Sequence, residues 1–327
     1  MRRLISFMLV LALAFSALVF WWLNQPMDLA APTLDLSVEP GTTPRTVAQD
    51  TVASGVQTSP TLLYWWFRLS GQARLIKAGS YELETGLTPR TLLAKLTRGE
   101  EALRSVTLVE GWTFRQMRES LSKAEHLVQD TKGLEANLVM KNLGKPELHP
   151  EGRFYPDTYT YAKGSSDVKV LQRALRAMDH HLAAAWALRA PDSPLKTQDE
   201  LLTLASIVEK ETGRASDRAM IASVFTNRLR VGMMLQTDPT VIYGMGEQFD
   251  GNLRRRDLLA DTPWNTYTRS GLPPTPIAMP GKASLLAAAQ PATSTALYFV
   301  ARGDGTSQFS DNLDAHNRAV NKFQRGQ

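Results

Sequence analysis

Near its start the chain has an uncharged stretch of twenty residues, Leu4 to Leu23, that is long enough to cross a bilayer as an α-helix. A helix lets such a segment satisfy all of its own backbone hydrogen bonds. Two arginines precede the stretch and two tryptophans close it, which indicates a cytoplasmic N-terminus. The sequence therefore predicts a cytoplasmic tail at residues 1–3, a transmembrane helix at residues 4–23, and a chain outside the cytoplasm after it. A cleaved signal peptide is the alternative, but its apolar region is usually shorter.

Composition and charge exclude several classes of protein. The chain has 327 residues, enough for about two domains, and a net charge of +5 without any block of like charges, so nothing indicates a nucleic-acid partner. With no cysteine there is neither a disulfide framework nor a thiolate metal site. His180 and His181 are neighbours and point in different directions on a helix, so we predict no metal and no cofactor. Glycine-rich phosphate loops and Gly-x-Ser-x-Gly motifs are absent as well.

The region from residue 24 to residue 105 mixes short strands with helices. Alternating apolar residues predict strands at Leu34–Val38 and Ala78–Leu83, each followed by a helix. Between them, the apolar run Leu62–Leu69 predicts a buried helix. This small α/β unit resembles a LysM-like module, which implies contact with glycan. The alternative is a spacer that holds the rest of the chain off the membrane.

A helix predicted from Thr197 to about Gly213 carries the first candidates for chemistry. Thr197 and Glu200 have the spacing of a capping box, and apolar residues then recur along one face. Glu209 and Glu211 lie in its last turn, roughly 160° apart around the helix axis. They therefore cannot both face one cleft.

Glu211 is the better candidate for a general acid. The negative end of the helix dipole disfavours a carboxylate at this position and should raise its pKa, which suits proton donation. The competing interpretation is an ordinary solvated helix end, since charged residues are mostly exposed.

Three further stretches carry residues suited to binding. Glu151–Tyr159 interleaves aromatic residues with Asp and Thr, which suits either a sugar-binding wall or packing under a loop. Asp238 and Pro239 have the pattern of an N-cap and a first helical position, so capping alone explains Asp238. The proline-rich stretch Trp264–Gly281 predicts an ordered surface loop, the usual place for binding residues.

Four motifs together resemble the YceG-like family of endolytic murein transglycosylases. They are Glu151–Tyr159, Ala205–Thr212, Leu235–Gly244, and Asn265–Tyr267 followed by Gly271–Pro274. The similarity extends over nearly the whole chain, including the single membrane anchor. It implies a mixed α+β protein. Its parts would be the transmembrane helix, a LysM-like subdomain at residues 24–105, and an α+β catalytic domain at residues 106–327 with a lysozyme-like, glutamate-bearing helix.

The resemblance implies a lyase that acts on peptidoglycan. Such a lytic transglycosylase cuts the bond between N-acetylmuramic acid and N-acetylglucosamine inside nascent glycan strands without water, and leaves 1,6-anhydro-muramic acid ends. The expected location is the cell inner membrane, with one membrane span and the catalytic domain in the periplasm. Peptidoglycan synthases such as penicillin-binding proteins are the expected partners, and the chemistry requires no metal or cofactor.

The family's catalytic glutamate, carried onto this sequence, falls on Glu211, with Glu209 as the alternative assignment. We expect four residues to bind sugar or to orient the acid: Gln236, Asp238, Asn265 and Tyr267. Glu209 and Thr212 are expected to support the acid without touching the substrate.

Two other functions stay open from the sequence. One is a hydrolytic muramidase, which would need a second carboxylate at a defined distance, such as Asp238 or Asp157. The other is a membrane-anchored glycan-binding scaffold without catalysis.

Overall fold

The computed structural model describes residues 2–326 and divides the chain into two compact units. The first unit contains the residues up to Arg104 and, later in the chain, Thr160–Ser165. The second unit contains Ser105–Tyr159 and the chain from Ser166 onward.

The first unit opens with helix α1 (Arg2–Asn24), which is apolar and long enough to cross a membrane. Strand β2 pairs antiparallel with β4, with Leu36 opposite Tyr81, and the two-residue strands β1 and β3 pair with each other. The order β2–α2–α3–β4 therefore closes a strand–helix–helix–strand unit. The elements after α1 are β1 (Asp28–Leu29), β2 (Thr33–Val38), α2 (Pro44–Ala53), β3 (Val56–Gln57), α3 (Pro60–Leu69), β4 (Gly79–Glu84) and α4 (Pro89–Arg98).

Helices α2, α3 and α4 each begin at a proline that follows a hydroxyl residue. The side chains of Thr43, Ser59 and Thr88 accept a backbone N–H of the first turn. The proline after each of them has no N–H to leave unsatisfied. These starts fix the helices so that their apolar faces pack around Phe67 and Tyr81, which are fully buried.

Helix α3 is amphipathic, so the predicted buried helix is right for one face only. Leu63 and Phe67 are fully buried, whereas Trp65 keeps 49% of its surface exposed. Trp66 is half-buried, and its indole Nε1 donates a hydrogen bond to the Pro89 carbonyl oxygen at 3.0 Å.

The second unit is mostly helical. Strand β5 pairs with β6, and β7 pairs with β8 in an antiparallel hairpin. The elements after α4, in order, are β5 (Leu103–Thr107), whose first two residues belong to the first unit, α5 (Phe114–Ser122), α6 (Ala136–Asn142), β6 (Thr158–Ala162), whose last three residues belong to the first unit, α7 (Asp167–Ala187), α8 (Gln198–Glu211), α9 (Ala215–Arg230), α10 (Asp238–Met245), α11 (Arg255–Leu259), α12 (Lys282–Ala289), β7 (Tyr298–Ala301), β8 (Ser307–Ser310) and α13 (Leu313–Gln324).

Helix α8 lies at the centre of the second unit. Its residues from Leu201 to Val208 are all buried, and it packs against α7, α9 and α12. The Ser206 hydroxyl is buried as well, and it accepts the backbone N–H of Ile277 at 3.0 Å. A helix surrounded in this way holds its last turn in a fixed position.

The N-cap predicted at Asp238 is wrong, and Asp167 shows the same arrangement at another helix start. Helix α7 is capped by Ser166, while the Asp167 carboxylate accepts the backbone N–H of Asp130 and the hydroxyl of Thr131 at 3.0 and 2.5 Å. Helix α10 begins at Asp238 itself, so its carboxylate caps nothing. In both cases a hydroxyl residue one position earlier occupies the N-cap, and the aspartate is left to interact with a distant segment.

Phe67→Ala should lower the free energy of unfolding by about 3–5 kcal/mol, because it opens a cavity in a fully buried site. Trp65→Ala, two residues earlier in the same helix but on its exposed face, should cost less than about 1 kcal/mol. Urea denaturation of the full chain in detergent compares the two variants. Equal losses would contradict the one-sided burial of α3.

Candidate active site

Glu211 is the last residue of α8 and lines a cavity of about 580 Å³. The next residue, Thr212, is extended, with φ −149° and ψ 133°, and its hydroxyl accepts the backbone N–H of Arg214 at 3.0 Å. Thr212 therefore shapes the turn after the helix. The carboxyl group of Glu211 is held where the buried core of α8 meets the cavity.

A hydroxyl network fixes the Glu211 carboxyl group. The hydroxyl of Thr237 donates to Glu211 Oε1. Thr237 is itself held by its backbone, whose N–H donates to the Thr266 hydroxyl at 3.1 Å and whose carbonyl oxygen accepts from the Thr240 hydroxyl at 2.7 Å. Thr240 and Thr266 share a further hydrogen bond of 2.8 Å. All three threonines are buried, so the donor that faces Glu211 is positioned before any ligand binds.

Burial raises the pKa of the Glu211 carboxyl group above 4.5, and the nearby charge of Asp238 raises it further. The Thr237 hydroxyl and the Arg228 guanidinium act in the opposite direction, because both stabilise the carboxylate. The direction agrees with the expectation from the sequence, but desolvation is the main cause.

Asp238 and Tyr267 meet in the same cavity. The Tyr267 hydroxyl donates to Asp238 Oδ1 at 2.6 Å. Burial and the Asp238 carboxylate both raise the pKa of Tyr267, so the phenol keeps its proton. Asp238 is thus a second carboxylate in the cavity of Glu211, exposed and hydrogen-bonded by a neutral phenol.

Gln236 also lines this cavity, and its backbone adopts φ +48°. A non-glycine residue pays about 1 kcal/mol or more for this left-handed conformation. Its backbone N–H donates to the Thr266 carbonyl oxygen at 3.0 Å, which holds the strained turn. Strain of this kind is common at ligand sites, and here it directs Gln236 towards the cavity.

Asn265 does not line the cavity. It is completely buried, and its amide Nδ2 donates to the carbonyl oxygens of Leu258 and Ala260 at 3.0 and 2.7 Å. Its Oδ1 accepts the backbone N–H of Tyr267 at 2.8 Å. Asn265 therefore fixes the loop that carries Tyr267 and does not itself line the cavity.

Glu209 faces another part of the protein, as the helical spacing predicts. Its carboxylate Oε2 accepts the backbone N–H of Gly281 at 3.0 Å. Burial and the charge of Glu209 raise the pKa of Glu110, so these two acids are close together. Asp157 is also outside the cavity of Glu211; its Oδ1 accepts its neighbour's backbone N–H, that of Thr158, at 2.7 Å.

Three further residues that line the cavity were not selected from the sequence: Arg228, Tyr298 and His316. Arg228 is buried and donates to the carbonyl oxygens of Leu297 and Leu235, both at 2.7 Å. Its guanidinium lies 5.3 Å from the Tyr298 ring centre, and His316 stacks on that ring at 5.1 Å. They come from α9, β7 and α13, so only the folded chain brings them together.

Glu151 is a second buried acid, remote from Glu211 in the chain. It is 4% exposed, and burial raises its pKa from 4.5 to about 7. Its carboxyl oxygens accept the backbone N–H of Phe114 at 2.9 Å and the hydroxyl of Tyr243 at 3.1 Å. The sequence motif Glu151–Tyr159 contains this residue, but the spacing of the motif does not predict that Glu151 is buried.

The family model for the YceG-like family matches residues 36–322. This chain belongs to the YceG-like family. The match covers most of the first unit and nearly all of the second, including every residue of the cavity around Glu211 that sequence analysis selected.

Curated relatives of this YceG-like chain carry one name, endolytic murein transglycosylase. The protein of that name from Bacillus subtilis (strain 168) is 29% identical over 308 residues, which is 89% of this chain and 85% of the relative. The one from Streptococcus pneumoniae serotype 2 (strain D39 / NCTC 7466) is 28% identical over 279 residues, 75% of this chain. This chain spans 50% of the pneumococcal relative's length.

A solved structure supports the same fold. The crystal structure of a YceG-like protein from Listeria monocytogenes, at 2.6 Å resolution, matches this chain with a TM-score of 0.55 and 28% sequence identity. The match covers 88% of this chain and 98% of the Listeria chain.

Glu151→Gln should change the pH dependence of stability in this YceG-like protein. The Glu151 carboxyl group loses its proton near pH 4.5 in the unfolded chain and near pH 7 in the folded protein. The free energy of unfolding of the wild type therefore falls as the pH rises between those values. Relative to the wild type, the variant should gain about 3 kcal/mol of unfolding free energy from pH 4 to pH 8. Denaturation of both proteins at several pH values measures this difference in unfolding free energy.

Glu247→Gln is the matched control for this measurement, because the Glu247 side chain is 81% exposed. Its stability difference from the wild type should stay nearly constant over the same pH range. A Glu151→Gln difference that is also independent of pH would show that the Glu151 carboxyl group titrates normally.

Proposed function

We propose that this chain is an endolytic lytic transglycosylase of peptidoglycan. It cleaves the bond between N-acetylmuramic acid and N-acetylglucosamine within nascent strands and leaves 1,6-anhydro-muramic acid ends, which terminates strand growth. The observation that carries the proposal is the position of the Glu211 carboxyl group, which lines a cavity large enough for a ligand and is hydrogen-bonded there by Thr237. Relatives named endolytic murein transglycosylase support it.

The reaction needs one group that gives a proton and then takes one back. Glu211 first protonates the glycosidic oxygen, and the bond from that oxygen to C1 of the muramic acid breaks. The resulting carboxylate then removes the proton from the C6 hydroxyl of the same sugar as O6 attacks C1. A carboxyl group with a raised pKa suits the first half, and the Thr237 hydroxyl stabilises the carboxylate between the halves. No water is consumed, and Glu211 ends protonated.

The other cavity residues would hold the sugar against this acid. We assign Gln236, Asp238 and Tyr267 to hydrogen bonds with sugar hydroxyl and acetamido groups, because they line the same cavity. Asn265 acts as a positioning residue through the Tyr267 loop. Glu209 and Thr212 fix the end of α8 from outside the cavity.

Asp238 favours one alternative reaction, hydrolysis. Hydrolytic muramidases use an acid and a second carboxylate, and Asp238 supplies a carboxylate in the cavity of Glu211. Its hydrogen bond from Tyr267 occupies one of its oxygens, and this leaves it better suited to binding a sugar than to activating water.

The first unit would hold the catalytic unit at the membrane and near the glycan. Helix α1 serves as a single-pass anchor in the cell inner membrane with its N-terminus in the cytoplasm, so that the remainder is periplasmic. The β2–α2–α3–β4 order supports a LysM-like module with affinity for glycan. Peptidoglycan synthases, including penicillin-binding proteins, are the partners that we propose, since they supply the nascent strands.

Glu211→Gln keeps the shape of the side chain and removes the transferable proton. We expect formation of anhydro ends to fall at least about 10²-fold, because general acid–base catalysis contributes on that scale. The full-length protein in detergent is incubated with purified sacculi, and mass spectrometry identifies the new ends, which are lighter by one water when they are anhydro. Glu209→Gln is the matched control and should keep most of the activity.

The same digestion in H₂¹⁸O separates the two reactions. A lytic transglycosylase incorporates no ¹⁸O at the new ends, whereas a hydrolase incorporates one atom. Loss of activity in Glu209→Gln but not in Glu211→Gln would move the catalytic role to the other acid. Reducing ends labelled with ¹⁸O would establish the muramidase instead.

A further inference from the structure

A second cavity, of about 760 Å³, shares three segments with the cavity of Glu211. Lys210 directly precedes the acid in the chain, Pro239 directly follows Asp238, and Trp264 lies three residues before the cavity's tyrosine. All three line the second cavity. The end of α8 and the start of α10 therefore contribute to the walls of both cavities, with consecutive residues on each side.

Aromatic rings and fixed hydrogen-bonding groups line this second cavity. The rings of Tyr243 and Trp264 meet edge to face, with centres 5.5 Å apart, and Phe249 adds a third ring. The indole Nε1 of Trp264 donates to the Thr275 hydroxyl at 2.9 Å, which holds the ring in place. The Tyr243 hydroxyl donates to the buried Glu151. Flat rings beside oriented polar groups are the features with which proteins bind sugars.

The charges in the lining favour a neutral ligand. Arg115 and Lys210 bring two positive charges, and Glu247 brings a negative one that is paired with Arg115 at 2.6 Å. Glu151 adds a carboxyl group that is half-ionised near neutral pH. The lining thus carries about half a positive charge near neutral pH, too little to select a strongly acidic peptide, and an uncharged N-acetylated sugar is compatible with it.

We propose that the second cavity binds a sugar of the same glycan strand, one or more units away from the bond that Glu211 cuts. This inference rests on the proposed function, because an enzyme that cuts inside a strand must hold sugars on both sides of the scissile bond. Trp264 supplies the ring on which that sugar stacks. The cavity thus selects substrates that continue beyond the cleaved disaccharide.

Binding is measured in the Glu211→Gln background, so that no strand is cut. The probe is a fluorescently labelled, uncrosslinked strand of alternating N-acetylglucosamine and N-acetylmuramic acid, titrated with the full-length protein in detergent. Trp264→Ala should raise the Kd about tenfold, which corresponds to about 1.4 kcal/mol. Trp264→Phe keeps a ring and should raise it less than threefold, by about 0.6 kcal/mol at most.

Trp186→Ala is the matched control. Trp186 is also a half-buried tryptophan at the edge of the same core cluster, but it lines neither cavity. Its substitution should leave the Kd unchanged. In the catalytically intact protein, Trp264→Ala should raise KM and leave kcat nearly unchanged, since it removes binding that ground and transition states share.

A measurement without a substitution at the site guards against misfolding. The protein is labelled with 5-fluorotryptophan, and the ¹⁹F resonance of Trp264 is assigned by its loss in Trp264→Phe. Strand binding should shift this resonance. The proposal is overturned if the resonance stays in place at saturating strand, or if folded Trp264→Ala binds as tightly as its parent. Strands that bind to the wild-type protein but are never cut would refute the proposed reaction. The Kd and ¹⁹F measurements would still test whether the second cavity binds the strand.

Discussion

The burial of one carboxyl group at the end of a core helix is the constraint on which the rest of the site depends. Leu201–Val208 fill the centre of the second unit, and three residues later the same helix brings Glu211 to the wall of a cavity. Desolvation there favours the protonated acid. Moving α8 would therefore disturb the core and the acid together.

The polar groups around Glu211 limit how far its pKa rises. Thr237 and Arg228 stabilise the carboxylate, while burial and Asp238 oppose it. The reaction that we propose asks Glu211 to donate a proton and then recover one, and this balance would keep both forms accessible. The buried threonine network and the strained Gln236 turn hold these groups in place, so the reaction that we propose would need little reorganisation.

Local patterns in the sequence predicted the elements that hold the acid, but not its surroundings. Helical periodicity separated Glu209 from Glu211, because that geometry depends only on residues in one helix. The preference for Glu211 came from the helix dipole and from the family resemblance. The same local reasoning wrongly made Asp238 an N-cap, since the hydroxyl of Tyr267 comes from a loop 29 residues away. The family resemblance suggested that Asn265 binds sugar or orients the acid, and its complete burial with a hydrogen bond to the Tyr267 backbone agrees better with a positioning role. The pairing of Glu151 with Tyr243 spans 92 residues and could not be read from either motif alone.

Direct titration of the Glu211 carboxyl group tests the central claim. Glutamate labelled with ¹³C at the carboxyl carbon gives one resonance that is missing from the Glu211→Gln variant, and its chemical shift is followed by NMR from pH 3 to pH 9. A midpoint clearly above 4.5, the ordinary value for a glutamate, is the predicted result. A midpoint at or below 4.5 would mean that the group is ionised and solvated like a surface acid, and would contradict its role as the proton donor.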